Sequence, residues 1–153
     1  MRVRSLPNGG RGLDTDRGGV GVWARSPILL IQLRGYGAGA FADLILAGFD
    51  EIVGGKLPVQ IFFEMSGMEN YESPLRTRLT THFVQHRARI ASLHVFTRSK
   101  LVAMGFSVAN LALGGLITNH DSLISLQGAL DRAIAEGKVA GLSSAAIAQA
   151  GAR

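Results

Sequence analysis

The sequence predicts an α/β domain: a mixed, mostly parallel sheet of about five strands with about four helices. Three observations carry this. Apolar runs of strand length alternate with stretches of helical period along most of the chain. Glycine pairs at 54–55 and 114–115 punctuate that alternation where helices would end. The run Ile28-Leu29-Leu30-Ile31-Gln32-Leu33 is apolar at nearly every position, as in a central strand covered on both faces. The length of 153 residues and a hydrophobic content of 47% suit one domain with a substantial core.

The elements follow in order. Residues 1–19 are rich in Gly, Arg and Asp without a hydrophobic period, and read as a flexible leader. They also lack the apolar stretch of a secretory signal. Residues 20–24 make a weak first strand, turned at Pro27 into the strong strand 28–33, so the two form an antiparallel hairpin. Gly35 to Gly39 breaks the pattern. Phe41, Leu44, Ile45, Phe49 and Ile52 then recur at helical spacing until Gly54-Gly55. Residues 59–63 form the third strand, and 64–74 a polar loop. Leu75, Leu79, Phe83 and Ile90 mark a second helix whose polar face carries Arg76, Arg78, Gln85, Arg87 and Arg89. Residues 93–97 are the fourth strand. Ser99 caps an uncharged helix over 101–113, and residues 116–118 form a short fifth strand. Asp121 or Ser122 caps a last helix carrying Leu123, Leu126, Ala129, Leu130, Ala133 and Ile134, which ends at Gly137. The domain is expected over 20–136, followed by a low-complexity tail over 137–153.

Composition narrows the chemistry. No cysteine is present, which excludes disulfides, a thiol nucleophile and thiolate metal ligation. The net charge is +5, but the basic residues are scattered singly and in short pairs, and aromatics are sparse at 7%. A solvated surface with a basic bias is expected rather than a nucleic-acid interface.

Five features could carry chemistry or contacts, and most have a plainer explanation. Gly35-Tyr36-Gly37-Ala38-Gly39-Ala40 follows a strand and opens a helix, the context of a dinucleotide-binding turn, with Glu64 ending the next strand. The chain lacks a second mononucleotide-binding half, so a plain glycine turn is favoured. His82 and His86 stand at i and i+4, a metal-ligand spacing, but Phe83 occupies the position of the general-base Glu in H-E-x-x-H. Glu69 and Glu72 form a carboxylate pair that also fits ordinary acids at a helix start. There is no G-x-S-x-G elbow. The helix over 101–113 is apolar on every side, yet too short and too interrupted to span a membrane. A domain this small cannot cover all of it, so Met104, Val108 and Leu111 are expected to form a subunit interface or line an apolar groove. At its start, Arg98, Ser99 and Lys100 form a candidate anion site, with a plain serine cap as the alternative.

The strand order and residues 64–75 together resemble the STAS domain family, the sulfate-transporter and anti-sigma-factor-antagonist fold. Glu64-Met65-Ser66-Gly67-Met68 looks like the D-L-S-G-V strand end of that family, and Glu72-Ser73-Pro74-Leu75 like a degraded D-S-S-G-L helix start. Arg98-Ser99-Lys100-Leu101-Val102 is similar to the SpoIIAA-like branch, which is grouped with lipid-binding CRAL-TRIO domains. The resemblance spans roughly residues 20–136. It implies a non-enzymatic, bacterial, cytoplasmic signalling module in which a serine at the helix start is phosphorylated to change partner binding. Pro74 stands at the usual phosphoserine position, and Ser73 is the adjacent hydroxyl.

The expected function is therefore a STAS-like regulatory or protein-interaction module. Its partner would be another protein or a second copy, most simply in a homodimer. Glu64, Ser66, Gly67, Glu72 and Ser73 would form the partner loop, and no cofactor or metal is expected. The alternative is binding of a small apolar or lipid-like molecule beside helix 101–113. A nucleotide binder or enzyme using Gly35 to Gly39 ranks third.

Overall fold

The strand that begins in the apolar run at Ile28 extends to Gly37 and forms the centre of a seven-stranded sheet. The computed structural model describes residues 2–144. The strands are β1 (Arg4–Leu6), β2 (Gly10–Asp14), β3 (Gly18–Arg25), β4 (Ile28–Gly37), β5 (Val59–Tyr71), β6 (Ile90–Thr97) and β7 (Ile117–Asn119), and they lie side by side in chain order. β1 to β4 are antiparallel neighbours; β4 to β7 are parallel. The helices are α1 (Phe41–Ile52), α2 (Ser73–Gln85), α3 (Lys100–Ala112) and α4 (Leu123–Gly137).

This order dictates the layering. The crossovers from β4 to β7 all step in the same direction, and right-handed connections then place α1, α2 and α3 on one face. Leu29, Ile31 and Leu33 of β4, with Ile61, Phe63 and Met65 of β5, pack there against Phe41, Phe49, Leu79, Phe83 and Val102. The alternate residues Ile28, Leu30 and Phe62 point to the other face, where Phe96 and Trp23 join Leu126, Leu130 and Ala133 of α4. Helices thus cover both faces, three on one and one on the other.

Three features depart from the sequence reading. Residues 4–6 and 10–14, expected within a flexible leader, are strands that bring the count to seven. Their Gly10 and Gly12, with Gly21 of β3, leave room for the side chains of Trp23 and Leu6 to lie across the sheet. The Trp23 indole N–H donates to the Pro7 carbonyl at 2.9 Å. Second, α2 stops at Gln85, and Ile90 opens β6 instead of facing the helix stripe. Third, residues 64–71 are strand, not loop.

The strand holds because of two bulges. Between the pairs Gln32–Glu64 and Arg34–Gly67, β5 has one residue more than β4; the same happens between Gly35–Met68 and Tyr36–Asn70. Each extra residue shifts the alternation by one. The inward residues therefore run Ile61, Phe63, Met65 and then Met68 and Tyr71. A spacing of three hides the strand period from any reading of the sequence. At the other end, residues 137–144 of the expected tail are described, and Leu142 is buried against the α4 face. The rest of that expected tail lies outside the described residues.

Candidate functional site

The first bulge explains Glu64. A bulge removes a backbone N–H from the ladder, and a buried N–H needs a partner. The Glu64 carboxylate accepts from the Ser66 amide at 2.9 Å and from the Ser66 hydroxyl. Its second oxygen accepts from the Gln32 side-chain amide at 2.7 Å. Glu64 and Gln32 are both buried, so the carboxylate is tied inside the sheet. Gly67 is exposed on the strand beyond, paired with Arg34.

The second bulge involves Glu69, whose carbonyl accepts from the Ser99 hydroxyl at 3.1 Å. The same Ser99 oxygen accepts from the Val102 amide at 3.3 Å and caps α3. The arginine of the candidate anion site, Arg98, leans back over the Phe96 ring at 5.2 Å. Lys100 is exposed in the first turn of α3. The serine is thus engaged in joining β5 to α3.

The glycine stretch has a similar outcome. Gly35 and Gly37 lie in β4, paired with Met68 and Tyr71. Gly35 has a φ of +65°, and a Cβ there would stand 2.4 Å from the Arg17 carbonyl oxygen, so only glycine fits. The amide that opens the way into α1, Gly39 N–H, donates to the Glu72 carboxylate at 2.9 Å. The chain's own carboxylate therefore occupies the position at which a nucleotide phosphate would be read. Ser73 follows as the exposed first residue of α2.

The histidines divide into two pairs. His82 bonds Asp50 at 2.8 Å, His86 bonds the His82 carbonyl at 2.9 Å, and both rings stand edge-on to Phe49. Among the described residues, no group of three or more His, Asp or Glu is arranged to hold a metal ion. The second pair is one that no sequence spacing joins. His94 of β6 and His120, just past β7, meet at 2.9 Å, and His120 continues to the Ser125 hydroxyl at 2.7 Å. His94 stacks on Phe62 at 4.7 Å. Burial, with His120 and Arg132 adding to it, pulls the His94 pKa down to about 4. Burial and Arg132 also lower His120, opposed by Asp121. Both rings are neutral at neutral pH, and the line ties the start of α4 to the sheet.

The basic residues also find work inside the fold. Arg89 donates to the carbonyls of Val53, Gly55 and Leu57, and Arg87 to those of Leu113 and Ile90. Each arginine closes the carbonyl end of a crossover helix, α1 and α3 respectively. Arg4 and Arg34 share Asp14, and the hydrogen bond from Arg4 leads in holding that carboxyl below its usual range.

Two apolar features remain, on opposite faces of α3. Its outer face exposes Leu101 (49%), Met104 (66%), Val108 (55%) and Leu111 (85%). Behind its inner face, between α2, α3 and the sheet, lies an apolar cavity of about 50 Å³. Phe63, Met65, Tyr71, Leu79 and Phe106 line it, with Arg76 at its wall. This cavity lies on the face of α3 away from Met104, Val108 and Leu111, none of which lines it. By sequence pattern Arg76 belongs to a polar face. No helix among the described residues is long and apolar enough to cross a membrane.

No protein-family model matches the chain, and no curated protein matches it. A solved structure does: an uncharacterised protein of the DUF3478 family with a SpoIIAA-like fold, from Shewanella loihica PV-4. The two superpose with a TM-score of 0.59 at 12% identity, over 77% of this chain and 98% of that one. At that identity the likeness establishes architecture alone, and the architecture is a SpoIIAA-like α/β fold.

Proposed function

We propose that the protein is a non-enzymatic STAS-like interaction module that self-associates through the outer face of α3. The observation behind this is the seam Leu101, Met104, Val108, Leu111, exposed along the whole helix. Its spacing of three, four and three residues is that of a and d positions in a helix-pairing seam. Water-exposed apolar residues scattered singly need no explanation, but a continuous row does.

A second copy is the occupant that fits best. From Leu101 to Asn119 the chain carries no Asp, Glu, Lys or Arg, so two copies of the seam meet without like-charge repulsion. Ser107 and Ala112 beside the seam are exposed and small and let two helices approach closely. The seam is roughly 15 Å long at ~1.5 Å per residue. Alone it falls short of the ~1,200 Å² that stable interfaces bury, so the dimer is weak and concentration-dependent. Such a reversible contact suits a regulatory module.

Sedimentation of the wild type and of Val108→Glu over a wide concentration range tests this. The wild type should move from monomer to dimer, and the variant should stay monomeric, with a melting temperature that matches the wild type's at low concentration. A wild type that remains monomeric throughout, or a variant that dimerises equally well, refutes the proposal.

A further inference from the structure

The line from His94 through His120 ends on a hydroxyl at the surface. His94 and His120 are half-buried, and Ser125 is exposed in the first turn of α4. A serine hydroxyl on one imidazole nitrogen, with the other nitrogen held by a third group, is the arrangement that activates a serine as a nucleophile. Here the two contacts are 2.7 Å and 2.9 Å. Between two neutral rings one nitrogen donates and the other accepts. His120 Nδ1 faces the first turn of α4, the positive end of the helix dipole, where a lone pair is favoured over an N–H. The Ser125 hydroxyl therefore donates to His120 Nδ1, and His120 Nε2–H donates to His94 Nδ1.

A cation stands beside this line. Arg132 lies two turns further along the same face of α4. Its guanidinium folds back towards Ser125: Nη1 is 3.6 Å from where a Cβ on Gly128 would stand, and Gly128 is one turn from Ser125. Its charge bears on both histidines. Among the described residues it forms no ion pair, and the neighbouring Asp131 is taken by Ser144. A guanidinium without a carboxylate is free to hold a phosphate. We propose that Ser125 accepts an acyl group from a small acyl phosphate, with His120 taking the serine proton and Arg132 holding the leaving phosphate.

The step balances without a further reactant. Ser125 Oγ attacks the carbonyl carbon and forms the new ester bond, and its proton passes to His120 Nδ1. The bond from that carbon to the phosphate oxygen breaks, and the phosphate leaves with the proton from His120. His94 is a positioning residue: it accepts from His120 Nε2–H and so keeps the lone pair of Nδ1 on the serine. The ester has no hydroxyl proton to donate, so acylation opens the line that ties α4 to the sheet. The site lies on the α4 face, away from the α3 seam, and stands whether or not the protein dimerises.

The test is incubation of the full chain with acetyl phosphate, with the modified residues mapped by mass spectrometry of the digested protein. Variants are compared at a temperature where their circular dichroism is that of the wild type. Ser125 should be acetylated ahead of any lysine, and Ser125→Ala should lose that site and no other. His120→Gln should slow the reaction roughly a hundredfold, the lower range for a positioned base. Arg132→Met should slow acetyl phosphate roughly tenfold, the loss of one charge-assisted contact, and leave acetylation of Ser125 by p-nitrophenyl acetate, which carries no phosphate, unchanged. His94→Asn keeps an oxygen to accept from His120 and should retain most of the rate that His94→Phe loses. The proposal falls if Ser125 of the wild type stays unmodified while lysines react, if it gains a phosphoryl group instead, if His120→Gln reacts as fast, if Arg132→Met slows both donors alike, or if the two His94 variants are equally slow.

Discussion

Helices α1 and α3 play the same topological part, each crossing over the same face of the sheet between two parallel strands. Both are rich in apolar residues. Yet α1 buries seven of its 12 residues, and α3 only three of its 13. The cause lies beneath them. α1 crosses between β4 and β5, the longest strands at the centre of the sheet. α3 crosses to β7, a three-residue strand at the sheet edge, and finds little surface to lie on. The central helix therefore turns its apolarity into core, while the edge helix keeps much of it on show. Apolar composition sets what a helix can bury, and its place over the sheet sets what it does bury.

The largest expected effect comes from breaking the central helix. Phe49 is fully buried and touches the rings of His82, Phe83 and His86. Phe49→Ala should cost about 3–5 kcal/mol of unfolding free energy, the range for buried aromatic truncations. Urea unfolding checks this, and a loss below about 1 kcal/mol, the size of an ordinary substitution, would show that α1 is no better anchored than α3.

This contrast is half legible in the sequence. In α1 the charges of Asp43, Asp50 and Glu51 interleave with the apolar stripe and leave one inward face. In α3 no charge marks a face, and its mismatch with the size of the domain points to exposure. What the sequence hides has physical reasons. β1 and β2 lean on glycines under Trp23 and Leu6, and glycine writes no hydrophobic period. The outer half of β5 contains two bulges, so its inward residues fall out of alternation. His94 and His120 lie 26 residues apart and meet only because β6 and β7 are neighbours.

A smaller effect is expected at the carbonyl end of α1. Arg89 binds three carbonyl oxygens there. Arg89→Met keeps the aliphatic stem and leaves those acceptors without the charge, at a cost of about 1–2 kcal/mol in the same unfolding assay. An unchanged midpoint would mean that water replaces the guanidinium freely.

On the opposite face, α4 carries a pH dependence. His94 titrates at about 4 in the folded chain and near the ordinary histidine value of 6.5 when unfolded. Between those values the unfolded state binds more protons, so stability is full above pH 6.5 and declines as pH falls towards 4. Each tenfold change in proton affinity is worth about 1.4 kcal/mol, and the partial exposure of the pair reduces the yield below that of a buried site. The difference between wild type and His94→Asn in melting temperature should shrink through this window. A difference that stays constant across it would remove His94 as the cause.

The smallest effect should be the most informative about α3. Val108 is 55% exposed, so Val108→Ser removes little burial from the monomer and should change its stability by less than about 0.5 kcal/mol. Set against Phe49→Ala, that measures how differently two apolar crossover helices are used. The comparison sharpens further with concentration. A dimer binds the native state only, so the melting temperature of the wild type should climb as protein concentration rises. Val108→Ser, with its seam weakened, should climb less. Coincident curves at low concentration that separate at high concentration assign the exposed apolar surface of α3 to association. Curves that separate equally at every concentration would instead place Val108 in the folding core, and the distinction between the two helices would fail.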